Sequence, residues 1–85
     1  MTEYDFKFYI WKNYKYVYEH INMLTYKIHL SDEFSISVNL LEHLGTLVPS
    51  IMIKDGSTFK YYSSFKRALG YIKQNYKGSE NNGNL

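Results

Sequence analysis

The sequence predicts an α+β fold, an antiparallel β-meander of about four to six strands packed by one C-terminal α-helix. Three observations carry that prediction. Phe34-Ser35-Ile36-Ser37-Val38-Asn39-Leu40 alternates apolar and polar side chains without a break, the signature of a half-buried strand. Asp55-Gly56 places a strong turn signal inside the run from Ser50 to Tyr62. After Ser63-Ser64, the residues Phe65, Leu69, Ile72 and Tyr76 recur at helical spacing.

Two readings compete over the first 24 residues. Phe6, Phe8 and Ile10 alternate like a strand, and a Lys12-Asn13-Tyr14 loop would pair Ile10 with Tyr16, Phe8 with Tyr18 and Lys7 with Glu19. Ile10, Tyr14, Val17, Ile21 and Leu24 also repeat at helical spacing. The wealth of Tyr, Phe, Val and Ile, with no Ala, favours strands over residues 5–24. That reading turns Phe6, Phe8, Ile10, Tyr16 and Tyr18 to the core and Tyr9, Trp11 and Val17 to the opposite face.

The next hairpin joins Tyr26, Ile28 and Leu30 to the alternating run through Ser31-Asp32-Glu33. Pairing Leu30 with Phe34, Ile28 with Ile36 and Tyr26 with Val38 puts every large apolar residue on one face, and a one-residue slip would mix the faces. Leu41 to Pro49 reads as a connection, with room for one helical turn at Leu41–Leu44. In the Asp55-Gly56-Ser57 hairpin, a three-residue loop with Gly56 in the left-handed conformation pairs Ile53 with Phe59 and Ile51 with Tyr61. Ser63 or Ser64 then caps a helix from about Phe65 to Tyr76, whose stripe spans about 60° with Ala68 beside it. Gly78 fits the C′ position, so residues 1–78 form one domain and residues 79–85, with nothing to bury, form a disordered tail.

Composition limits the function classes. Sixteen of 85 residues are aromatic, ten of them Tyr, more than so small a core can hide, so some rings must face outward. With zero Cys there is no disulfide framework, thiolate metal site or thiol nucleophile. Lys or Glu interrupts every apolar run before the roughly 18 residues a membrane span needs, and the N-terminus lacks a basic signal region, so a cytoplasmic protein without a membrane partner is expected. His20, His29 and His43 match no local metal-ligand spacing, no Gly-rich phosphate loop occurs, and Asp32-Glu33 is better explained by turn chemistry than by catalysis. Neither an enzyme nor a cofactor is expected.

Two sets of side chains point to binding instead. Tyr9 and Trp11, with Lys15 beside them, form an outward aromatic set of the kind that anchors a protein partner. The same face could be covered by the Leu41–Pro49 segment or by a second copy in a homodimer. Charge is uneven: residues 1–33 hold four cations against five carboxylates, whereas residues 54–77 hold Lys54, Lys60, Lys66, Arg67, Lys73 and Lys77 against Asp55 alone. Those cations serve helix solubility and the helix dipole, but Lys60, Lys66, Arg67, Lys73 and Lys77 could also follow a phosphate backbone while Tyr rings stack on unpaired bases. Gly70 costs the last helix roughly 1 kcal/mol relative to Ala, so either a partner backbone approaches closely there or the residue is tolerated drift.

The segment Lys54-Asp55-Gly56-Ser57-Thr58-Phe59-Lys60-Tyr61-Tyr62-Ser63-Ser64-Phe65-Lys66-Arg67-Ala68-Leu69 resembles the ending of small phage and prophage proteins from AT-rich hosts, in which a late strand, an aromatic pair, two Ser and an Ala-Leu helix close the chain. The resemblance implies an accessory protein, an inhibitor or adaptor that binds host or phage machinery in the host cytoplasm. It supplies no catalytic residues. Four antiparallel strands followed by a helix also resemble the architecture of PUR-type single-strand binders, which implies the nucleic-acid alternative.

Overall fold

The computed structural model describes residues 1–77; Gly78 and the 79–85 tail, expected as a C′ glycine and a disordered segment, lie outside the described residues. The chain runs α1 (Glu3–Asn13), β1 (Val17–Asn22), β2 (Thr25–Ser31), β3 (Phe34–His43), β4 (Thr46–Asp55), β5 (Thr58–Tyr62) and α2 (Phe65–Asn75). The strands form one antiparallel sheet in the order β1-β2-β3-β4-β5, the expected meander, with the C-terminal helix packed on it.

The N-terminal segment departs from expectation. Residues 3–13 are helix rather than strand, and the strand of this segment runs over 17–22. Local chemistry sets the helix start. Thr2 Oγ1 accepts a hydrogen bond from the Asp5 N–H at 3.1 Å, and Asp5 Oδ2 accepts from the Thr2 N–H at 3.0 Å, so a capping box satisfies two orphan donors. The Thr2 N–H and hydroxyl hold the Asp5 carboxyl below the usual carboxylate range. Packing does the rest: Phe6 and Ile10, one turn apart, are fully buried, and that burial outweighs the β-propensity of the aromatic residues. Consequently Lys7, Phe8 and Ile10 have no strand partners. Tyr18 and Glu19 pair with Ile28 and Lys27 of β2 instead.

In the β2–β3 hairpin, Tyr26 faces Val38 and Ile28 faces Ile36 as expected, but a bulge between His29 and Ser31 makes Phe34 face Ser31 rather than Leu30. The β4–β5 register also differs. Asp55 pairs with Thr58, so the loop is Gly56-Ser57, and Ile53 and Ile51 face Lys60 and Tyr62. Gly56 does take positive φ, at 62°. Its N–H donates to Glu33 O, and the Asp55 carboxylate accepts from the Tyr71 hydroxyl at 2.9 Å, contacts that hold Asp55 in the strand and out of the loop. Phe59 and Tyr61 therefore point away from the core, opposite Lys54 and Met52.

Residues 41–49 are not a connection with a helical turn. They continue β3 and β4 as a ten-by-ten-residue ladder closed by a two-residue turn at Leu44-Gly45, both at positive φ (53° and 81°). Such a turn matches strand twist, but its first position normally calls for Asn, Asp or Gly, so Leu44 concealed it.

The α2 expectation holds: Ser64 Oγ accepts from the Arg67 N–H, and Phe65, Ala68, Leu69, Ile72 and Tyr76 are buried. Both helices cover the face of the sheet formed by Ile28, Ile36, Val38, Ile51 and Ile53. Phe6 meets Phe65 near their N-termini and Tyr14 meets Tyr76 near their C-termini, so the helices run in the same direction. Two buried or half-buried hydroxyls find partners: Tyr76 donates to Leu30 O and Tyr26 to Glu3 Oε2, at 2.9 and 2.7 Å. Burial and the Glu3 carboxylate push the Tyr26 phenol upward. Gly70 is exposed, and a Cβ built there meets nothing within 4 Å. Gly70→Ala should therefore stabilise the fold by about 0.5–1 kcal/mol, read as a higher midpoint in urea.

Candidate partner-binding surfaces

The structure does not bring Tyr9, Trp11 and Lys15 together. Two positions apart on a helix, Tyr9 and Trp11 point about 160° from each other. Tyr9 turns inward, packs against the core and carries the Lys73 ammonium 4.4 Å from its ring centroid. It lines a cleft of about 420 Å³ between α1 and α2, while Lys15 lies past the helix beside a second cleft of about 510 Å³ with Tyr16, Val17 and His29. Trp11 remains exposed, in different company: Tyr4, Phe8 and Trp11 fall within about 60° on the outer side of α1, and Tyr4 stacks on Phe8 at 6.0 Å. This stripe has the i, i+4, i+7 spacing by which helices dock in apolar grooves.

The expected overflow of aromatic residues is real, since seven rings are exposed: Tyr4, Phe8, Trp11, Tyr16, Tyr18, Phe59 and Tyr61. Lys60, Lys66, Arg67, Lys73 and Lys77 are also exposed, but not as one patch. Lys66 and Lys73 share a flank of α2, Arg67 lies about 100° further round, Lys77 falls beyond the helix end at Asn75, and Lys60 stands on β5.

One exposed aliphatic surface is missed by sequence reasoning. Among the described residues, 41–43 and 46–48 pair only with each other, forming a two-stranded arm beyond the reach of β2, β5 and the helices. The arm draws the molecule out to 46 × 26 × 22 Å. Leu41, Leu44, Leu47 and Val48 are all exposed on it, and Met23 and Leu24 at the β1–β2 turn lie at its base, where the Leu40 N–H donates to Leu24 O. Alternation puts Leu41 and Val48 on one side and Leu40 and Leu47 on the other. Leu44 at the tip is 90% exposed with φ 53°. A left-handed backbone costs an L-residue roughly 1–2 kcal/mol, and Leu has no polar side chain to offset it.

The edge of the arm is protected. Because the Leu40 N–H points to Leu24, the Leu40–Pro49 pair is of the non-hydrogen-bonded type. The position where Pro49 lacks an N–H thus faces the free edge of β4, which blunts it against strand addition.

No group of three or more potential metal ligands occurs among the described residues, and none of their helices is long and apolar enough to cross a membrane. Comparison with family models, curated proteins and solved structures finds no match to this chain.

Proposed function

We propose that this is a non-catalytic binding module, a phage-encoded inhibitor or adaptor acting in the host cytoplasm, which seats its β3–β4 arm in an apolar cleft of a protein partner. One observation carries the reading: at Leu44 the fold bears backbone strain in order to hold a large apolar side chain almost wholly in solvent. Strain that serves no burial among the described residues is accounted for by a surface that is buried elsewhere. Exposed aliphatic residues around it supply the apolar area, and the blunted edge directs the contact to side chains.

A second docking reading rests on Tyr4, Phe8 and Trp11, whose helical spacing and aromatic character suit a partner groove. Affinity capture from host lysate, with quantitative mass spectrometry, separates the two. The wild-type protein is expected to retain a partner that Leu41→Thr/Leu47→Thr loses and Trp11→Ala keeps. Loss only with Trp11→Ala would move the site to α1, and retention by both variants would refute the arm. Sedimentation of the same proteins shows whether the occupant is a second copy.

A further inference from the structure

We infer that the open face of the sheet, opposite the helices, binds single-stranded nucleic acid, with Phe59 and Tyr61 stacking on successive bases. The register places side chains in two rows across this face: Val17, His29, Ser35, Lys54 and Phe59 in one, and Glu19, Lys27, Ser37, Met52 and Tyr61 in the other. Phe59 and Tyr61 are 48% and 73% exposed and stand two residues apart on the edge strand. That is a separation of about 7 Å, which gives each ring room for its own base.

Charge matches a phosphate backbone. Lys54 lies directly across from Phe59, and Lys27 stands two strands further in, next to Ser37 in the register. The one carboxylate in these two rows, Glu19, is at the opposite edge and is engaged by His29 Nε2 at 2.9 Å. Between the cations the face carries Ser35 and Ser37, small half-buried side chains that keep it flat, with the Ser37 Oγ itself buried beneath its neighbours. A protein hot spot would put its apolar anchors at a desolvated centre. Here the rings are at the rim, cations stand beside and behind them, and the centre is polar, the arrangement of a stacking platform with an electrostatic track. These residues differ from the flank of α2, which lies on the helix side of the sheet.

Fluorescence anisotropy with a short labelled oligothymidylate and the matching oligouridylate, at low and physiological salt, tests the inference. Wild-type protein should bind, with log K falling by about 1.4 per tenfold rise in salt if Lys27 and Lys54 each neutralise one phosphate. Phe59→Ala and Tyr61→Ala should each weaken binding roughly 5- to 100-fold. Both residues are exposed, so unchanged circular dichroism should accompany the loss, and Tyr61→Phe should retain binding. Preference for the uridylate would add contacts to the 2′-hydroxyl, and equal binding would mean recognition through bases and phosphates alone; either supports the site. Absence of binding at low salt would overturn it. So would binding indifferent to Phe59→Ala and Tyr61→Ala but lost in Lys66→Gln/Lys73→Gln, which would place the nucleic acid on α2. Leu41→Thr/Leu47→Thr should bind the oligonucleotides normally, which separates this site from the arm.

Discussion

Phe6→Ala should cost about 3–5 kcal/mol and leave much of the protein unfolded at 37 °C, whereas Phe8→Ala, two residues away, should change stability by no more than about 0.5 kcal/mol. The contrast follows from the helix. Phe6 is fully buried and packs on Phe65 with ring centroids 5.1 Å apart, while Phe8 is 48% exposed. Removing the Phe6 ring takes away its transfer free energy and leaves a cavity that the α1, α2 and sheet residues around it can fill only in part. Phe6 and Ile10 are the two buried residues of α1, so the helix loses half of its anchoring to the core. In a domain this small, a single core supplies a margin of only about 3–5 kcal/mol, which makes the substitution comparable to the whole stability. A strand over residues 6–10 would have placed Phe6 and Phe8 on the same face with similar costs. Urea denaturation of the two variants, followed by far-UV circular dichroism, distinguishes these arrangements.

The hairpins were legible because each carries its own local signal. Alternation in Phe34–Leu40 fixes both the strand and its pairing with Tyr26 and Ile28, since a slipped register would drive polar residues into the core. The α2 helix was legible for a similar reason: its apolar residues occupy one stripe and its cap is a serine. In α1 both sides are apolar, Phe6 and Ile10 facing in and Tyr4, Phe8 and Trp11 facing out, so no period dominates. What sequence did hold was the Thr2-x-x-Asp5 capping box, a start signal that outranked propensity. The β5 register turned on tertiary contacts of Asp55 with Tyr71 and of Gly56 with Glu33, which no local pattern encodes. Hence the three-residue loop turns Phe59 and Tyr61 to the core, whereas they belong to the open face.

The arm was hidden by the residue that makes it interesting. With Asn at position 44, the dipeptide before Thr46 would have been an Asn-Gly hairpin signal; with Leu, Gly45 alone remained. Leu44→Asn should therefore have two effects of opposite sign. Asn tolerates the left-handed region, and a side chain that is 90% exposed gives up almost no burial, so the variant should be more stable by about 1 kcal/mol. For a domain of this size that is a rise in Tm of about 4–8 °C. Partner binding should weaken at least about tenfold, because a polar amide replaces an apolar anchor at the tip of the proposed docking surface. Stability gained at the expense of activity marks a residue kept for function rather than for folding.

The most direct test of the arm as the partner-binding surface is therefore a thermal melt and a capture assay on Leu44→Asn, run beside the wild-type protein. A higher Tm together with a lost or strongly weakened partner is the predicted result. A higher Tm with capture undiminished would contradict the account, because the strain at Leu44 would then serve no partner.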